Sequence, residues 1–163
     1  MTDADLVAAG RAIIDRIAYL TLATVDAQGR AWASPVFFAT GDYREFFWMS
    51  APTATHSRNI AECPEVSAVI FDSTVAPGTG QAVYLTATAG QVADADIDRA
   101  LGIYPGSRDR GWRPARAQVQ APAPSRLYVA TAVGQSMMCP RAEGQPCAPH
   151  GLAHDHRIDV RLM

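Results

Sequence analysis

The sequence predicts a mainly β single domain, a small closed antiparallel barrel of six or seven strands with two or three helices. Three observations predict it. Six or seven short runs alternate apolar and polar residues at the two-residue period of a strand. Turns rich in Gly, Pro and Asp punctuate them. The helical patterns are few and do not recur between every pair of strands, as a doubly wound parallel sheet requires. A length of 163 residues fits one domain, 1–163, with a single core. A barrel of this size is filled by its own side chains, so a large ligand would bind outside it or between subunits.

The first element is a covering helix over residues 3 to 17, with Leu6, Val7, Ile13, Ile14 and Ile17 at helical spacing and Asp3 and Asp5 near its positive end. In "YLTLATV", Leu20, Leu22 and Thr24 alternate with Tyr19, Thr21 and Ala23, and "DAQG" turns this strand into "RAWASPVFFAT" as a hairpin. Pro35 donates no ladder hydrogen bond, which marks the second strand as an edge or a bulge. "GDYR" leads to a third strand, "EFFWMS", so that three antiparallel strands with short connections precede residue 51. A short helix from Thr53 to Cys63 follows and stops at Pro64. "EVSAVIFD" and "QAVYLTATAGQV" are strands four and five. Asp94 is the expected N-cap of the helix "ADIDRALGIY". Residues 105 to 125, rich in Pro and Arg, are expected as an ordered loop or short helical turn over an opening, and "RLYVATAV" and "HRIDVRL" are strands six and seven.

Composition narrows the function. A net charge of −2 gives no electrostatic grip on nucleic acid. No run is long enough to span a membrane, and the acidic, amphipathic start lacks the character of a signal peptide, so the expected location is cytoplasmic. All 14 basic residues are Arg, which excludes chemistry needing a lysine amine. Three cysteines, Cys63, Cys139 and Cys147, do not suggest a disulfide framework.

The stretch "SAPTATHSRNIAECPEV" crowds Thr53, Thr55, His56, Ser57 and Arg58 into the start of the short helix. With Thr53 as N-cap, free N–H groups of residues 54 to 56 would combine with His56 and Arg58 as donors, a chemistry that suits a phosphate. "APGTGQ" lacks both the third spaced glycine and the Lys-Ser/Thr ending of nucleotide loops, although Gln81 at its end is placed to reach a ligand. Cys139, Cys147, His150, His154 and His156 are residue types that suit zinc, but their spacing matches no common finger or ribbon, and no metal site is expected.

Together, "YLTLATVDAQGRAWASPVFF", "FFWMSAPTATHSRNIAECPEVSAVIFD" and "GQAVYLTATAGQV" resemble the pyridoxamine 5′-phosphate oxidase-like family of flavin-binding split barrels, over about residues 12 to 104 and less closely through the last two strands. The resemblance implies a homodimer with FMN at the subunit interface. It sets the isoalloxazine ring along Ser34, Pro35 and Val36, with Trp48, Met49 and Ser50 lining the same cleft. The family's basic phosphate-binding pair falls on Thr55 and His56, beside Ser57 and Arg58, and Gln81 approaches from the second subunit. The tryptophan, arginine and histidine with which the true oxidases hold pyridoxine phosphate are absent from the C-terminal segment. The implied function is an FMN-dependent oxidoreductase acting on a small molecule, with no assigned acid or base. The alternatives are a reductase using the deazaflavin coenzyme F-420, whose acidic tail would meet Arg108, Arg110, Arg113 and Arg116, and a non-catalytic flavin or haem binder with His154 or His156 as axial ligand.

Overall fold

The computed structural model describes residues 2–76, 78–106, 112–139 and 144–163. Helix α1 spans Asp3–Arg16 and starts in a capping box, in which the Thr2 hydroxyl accepts from the Asp5 N–H and the Asp5 carboxylate accepts from the Thr2 N–H. Strands β1 (Tyr19–Val25), β2 (Ala31–Phe37) and β3 (Glu45–Ser50) lead to helix α2 (Thr55–Glu62). Strands β4 (Glu65–Phe71) and β5 (Ala82–Gln91), helix α3 (Ile97–Ile103), and strands β6 (Arg126–Met138) and β7 (Arg157–Asp159) complete the chain.

All pairings are antiparallel, in the order β2-β1-β4-β5-β6-β3, with β7 added to β6. Among the described residues, seven strands and three α-helices make up the predicted mainly β split-barrel architecture. The predicted β1–β2 hairpin forms in full register from Tyr19 opposite Phe37 to Val25 opposite Ala31. One expectation changes: β3 does not extend that hairpin but pairs with β6. Just beyond β2 the chain joins β3 through a two-way bridge between Ala39 and Phe47, with N···O distances of 2.9 and 2.8 Å, which brings the two ends of the sheet together.

The pairing of β3 explains its composition. Phe46 and Trp48 enter the main core with Ile14, Leu20, Leu22 and Ile70, whereas Phe47 faces a second core formed with Ile97, Ala100, Tyr104 and Leu127 beneath α3. A strand covered on both sides has no use for alternating polar residues. In β1 one face is solvated, and Leu20, Leu22 and Thr24 are buried as the alternation predicts. Helix α1 lies across the C-terminal residues so closely that a Cβ on Gly10 would meet Leu162 Cδ2 at 2.7 Å. Leu162 is tied at both ends, its N–H donating to Gln135 Oε1 (2.9 Å) and its carbonyl accepting from Arg11 Nε (2.9 Å).

Two predicted caps are corrected. The N-cap of α2 is Ala54, not Thr53, and the Ala54 N–H donates to the Ala51 carbonyl, so the free amides begin at Thr55. Asp94 does not cap α3: Asp94–Asp96 is a 3-10 turn, Asp96 occupies the N-cap position, and neither makes a capping bond. In both places the chain enters from a tight turn whose own backbone bonds hold the geometry that a capping side chain would otherwise supply. Among the described residues, no helix is long and apolar enough to cross a membrane.

Candidate functional site

Three elements converge on His56. Strand β2 forms an edge of the main ladder, where Pro35 opposite Thr21 forfeits no needed bond, and the neighbouring Ser34 faces inward. Ser50 ends β3, and a turn delivers the chain into α2 five residues later. The half-buried His56 ring spans the gap. Its Nε2 lies 2.8 Å from Ser50 Oγ and its Nδ1 3.2 Å from Ser34 Oγ, and Ser34 Oγ also accepts from Trp32 Nε1 at 3.0 Å. One imidazole thus fastens β2, β3 and the first turn of α2 to one another.

Burial costs an imidazolium its hydration, and His56 is held below the usual histidine range by this effect. Its neighbours are hydroxyls, which satisfy a neutral ring. Protonation therefore favours the unfolded chain. The contribution of His56 to stability is whole above about pH 6.5 and is lost as pH falls through that value towards its lower folded pKa. Urea unfolding at about pH 7.5 and pH 5.5 should show a smaller pH-dependent loss in His56→Gln than in the wild type. Equal losses would assign the dependence to other groups.

The first turn of α2 also carries free donors. The N–H groups of Thr55, His56 and Ser57 have no carbonyl one turn earlier in the helix to accept them. Arg58 is exposed, and its guanidinium folds back to donate to the Thr53 carbonyl, which places its charge at the helix start. Its remaining N–H groups are available to an anion. Ser57 is buried and its hydroxyl has no hydrogen-bond partner among the described residues. A buried orphan hydroxyl and a turn of free amides, with a cation beside them, are donors suited to a phosphate.

The predicted residues do not all meet. Ser34, Ser50, Thr55, His56, Ser57 and Arg58 gather around this turn, and Pro35 is exposed beside Ser34. Val36 and Trp48 are buried in the main core, so their side chains do not line an opening of the protomer. Trp48 stacks on Tyr128 with ring centroids 5.8 Å apart and 16° between planes, and its indole N–H has no hydrogen-bond partner among the described residues. Met49 packs against the second core. Gln81 lies at the opposite end of the sheet, beside a cavity of about 420 Å³ lined by Phe71, Tyr84 and Met138.

Of the arginines expected to meet an acidic coenzyme tail, Arg108 and Arg110 lie outside the described residues. Arg116 is committed within the fold, 2.8 Å from Asp98 and donating to the Asp94 carbonyl and to Gln120. Arg113 is exposed. A grouping that the sequence spacing did not suggest is that of Cys139, Cys147, His150 and His156, whose ligating atoms all lie within 4.8 Å of one another. His154 is not among them.

A family model described as pyridoxamine 5′-phosphate oxidase matches residues 6–139. The sequence matches no curated protein. Solved structures of the same fold include a haem-binding protein from Mycobacterium smegmatis, 16% identical with a TM-score of 0.66, where the alignment covers 98% of this chain and 58% of that one. An FAD-binding protein from Mesorhizobium loti is 15% identical with a TM-score of 0.58, over 80% of this chain and 91% of that one. An F-420 reductase is 18% identical with a TM-score of 0.53, over 77% of this chain and 94% of that one. At these identities the likeness is one of fold.

Proposed function

The chain belongs to the pyridoxamine 5′-phosphate oxidase family, and from that premise we propose that it is an FMN-dependent oxidoreductase acting as a homodimer on a small molecule. The observation that carries the reading is the convergence of β2, β3 and α2 on His56, with free amides and Arg58 at one edge of that convergence. His56 acts as an organiser. Neutral and bonded to two serines, it fixes the first turn of α2 relative to the strand that would run along the flavin ring. Thr55, the free amides and Arg58 supply the phosphate seat. Bound FMN would supply the hydride or electron chemistry, and the chain's residues position it and exclude water.

The outer sheet face supports a second copy. Its central cross-strand rows, Thr21–Val69–Tyr84 and Ala23–Ser67–Thr86, carry no charge, Tyr19, Val25 and Phe71 stand exposed on it, and its charged groups, Glu65, Arg157 and Asp159, lie around those rows. A partly aromatic face with an uncharged centre and charged groups around it is suited to burial against its own kind.

The test is titration of the purified chain with FMN, riboflavin, coenzyme F-420 and haem, followed by visible absorbance, with sedimentation velocity on the same samples. Saturable FMN binding tighter than riboflavin, by a dimer, is the expected result. Preference for coenzyme F-420 or haem would replace the FMN reading with that alternative, and failure to bind any of the four would overturn it.

A further inference from the structure

The segment between β6 and β7 contains a second constellation, remote in sequence from the His56 turn. Cys139 follows β6 directly and Cys147 lies in the loop, and both are buried and free of disulfides. His150 is exposed and His156 half-buried, one residue before β7. Their ligating atoms form a compact set. His150 Nδ1 is 3.5 Å from the sulfur of Cys139 and 3.5 Å from that of Cys147, while His156 Nε2 is 3.4 Å from the Cys147 sulfur and 3.1 Å from His150 Nδ1.

Four ligating atoms that all lie within 4.8 Å of one another, with these four separations between 3.1 and 3.5 Å, form a cluster of the size of a metal coordination shell. A tetrahedral zinc with Zn–S near 2.3 Å and Zn–N near 2.0–2.1 Å sets its ligands about 3.3–3.4 Å apart between two nitrogens and about 3.5–3.6 Å apart between nitrogen and sulfur. The three nitrogen–sulfur separations and the nitrogen–nitrogen separation given above lie within a few tenths of an ångström of these. The surroundings also aim the ligands. His156 Nδ1 contacts its own loop's His154 carbonyl at 3.1 Å, which fixes the proton on that nitrogen and leaves the Nε2 lone pair directed at the cluster, the outer-shell arrangement typical of metal-bound histidines. The Cys139 N–H donates to the His156 carbonyl (2.9 Å), and the Cys147 N–H to the Leu152 carbonyl (2.9 Å). Backbone bonds thus hold both cysteines in place independently of their sulfurs.

We propose that Cys139, Cys147, His150 and His156 bind one zinc ion in a four-coordinate, structural site. Four protein ligands leave no position for water or substrate, which separates this role from catalysis. Binding replaces the two thiol protons by metal–sulfur bonds and releases up to two protons per zinc, without any redox change. The site would staple the loop to the start of β7, where Arg157 lies 3.6 Å over the Tyr84 ring and from which the chain continues to the buried Leu162. The spacing of seven, two and five intervening residues does not match a finger, because the ligands are presented by a strand end, a loop and a strand entry rather than by a knuckle and a helix.

The experiment is a zinc titration of the reduced, metal-stripped chain against a chromophoric zinc chelator, repeated with cobalt to read the coordination. The expected results are one zinc per chain, the intense visible absorption of four-coordinate cobalt with a thiolate charge-transfer band, and a higher melting temperature with zinc than without. His150→Ala, at an exposed position whose loss leaves the core intact, should weaken zinc binding at least about tenfold. Cys147→Ser should remove about half of the charge-transfer intensity or abolish binding. Failure of the wild-type chain to compete for zinc, or six-coordinate cobalt without the charge-transfer band, overturns the proposal. Unchanged zinc affinity in His150→Ala overturns that ligand set. None of these readouts depends on a flavin.

Discussion

Trp48→Ala is expected to destabilise the chain by about 3–5 kcal/mol, the range for truncating a large buried aromatic. Trp48 is fully buried, lies in the central row of β3, pairs with Tyr128 across the β3–β6 ladder and stacks on its ring. Ala would leave a cavity walled by two strands whose register is fixed on both sides, and such walls relax little. Trp48→Phe tests the same site differently. Phe keeps most of the ring stack and removes an indole N–H that has no partner in the core, so part of the lost packing is offset by the desolvation penalty that disappears with the donor. A loss of about 1–2 kcal/mol is expected. Urea denaturation of the three proteins decides it: if Ala costs no more than Phe, the ring is not a core element, and lining a ligand cleft becomes its better description.

The second large effect is expected at Arg58. Its guanidinium is held at the start of α2 by the Thr53 carbonyl, beside the three free amides. A hydrogen bond to a charged group is worth about 1.5–3 kcal/mol, so Arg58→Ala should weaken FMN binding about 10- to 100-fold. Riboflavin has the ring but not the phosphate, and its affinity should hardly change. Arg58→Lys keeps the charge and should recover part of the loss. The side chain is exposed, and the riboflavin measurement on the same variant reports any folding defect. Equal losses for both ligands would remove Arg58 from phosphate binding and leave the proposed seat to Thr55 and the helix start.

Much of the fold was legible because its signals are local. The alternation in "YLTLATV" records one buried and one solvated face, and both appear in β1. Pro35 announced an edge or a bulge, and of the two it is the edge that forms, β2 being the end strand of the main ladder. Pro64 announced the end of α2, which stops at Glu62. The candidate site was legible in part: the helix-start residues were named, and Ser34, Ser50 and His56 do meet. The direction of His56 was not legible. Sequence chemistry reads an imidazole at a helix start as an outward donor, whereas here two serines from different strands draw it inward.

By itself the sequence determined which segments form strands and helices, which face of β1 is buried, and which residues cluster at the turn before α2, because periodicity, turn chemistry and proline act over a few residues of backbone. Only the tertiary structure decided that β3 lies beside β6, that Trp48 is core, and that two cysteines and two histidines share one small volume. These depend on which distant segments close upon one another. That choice is made by the packing of whole faces, so no short stretch of the chain carries it.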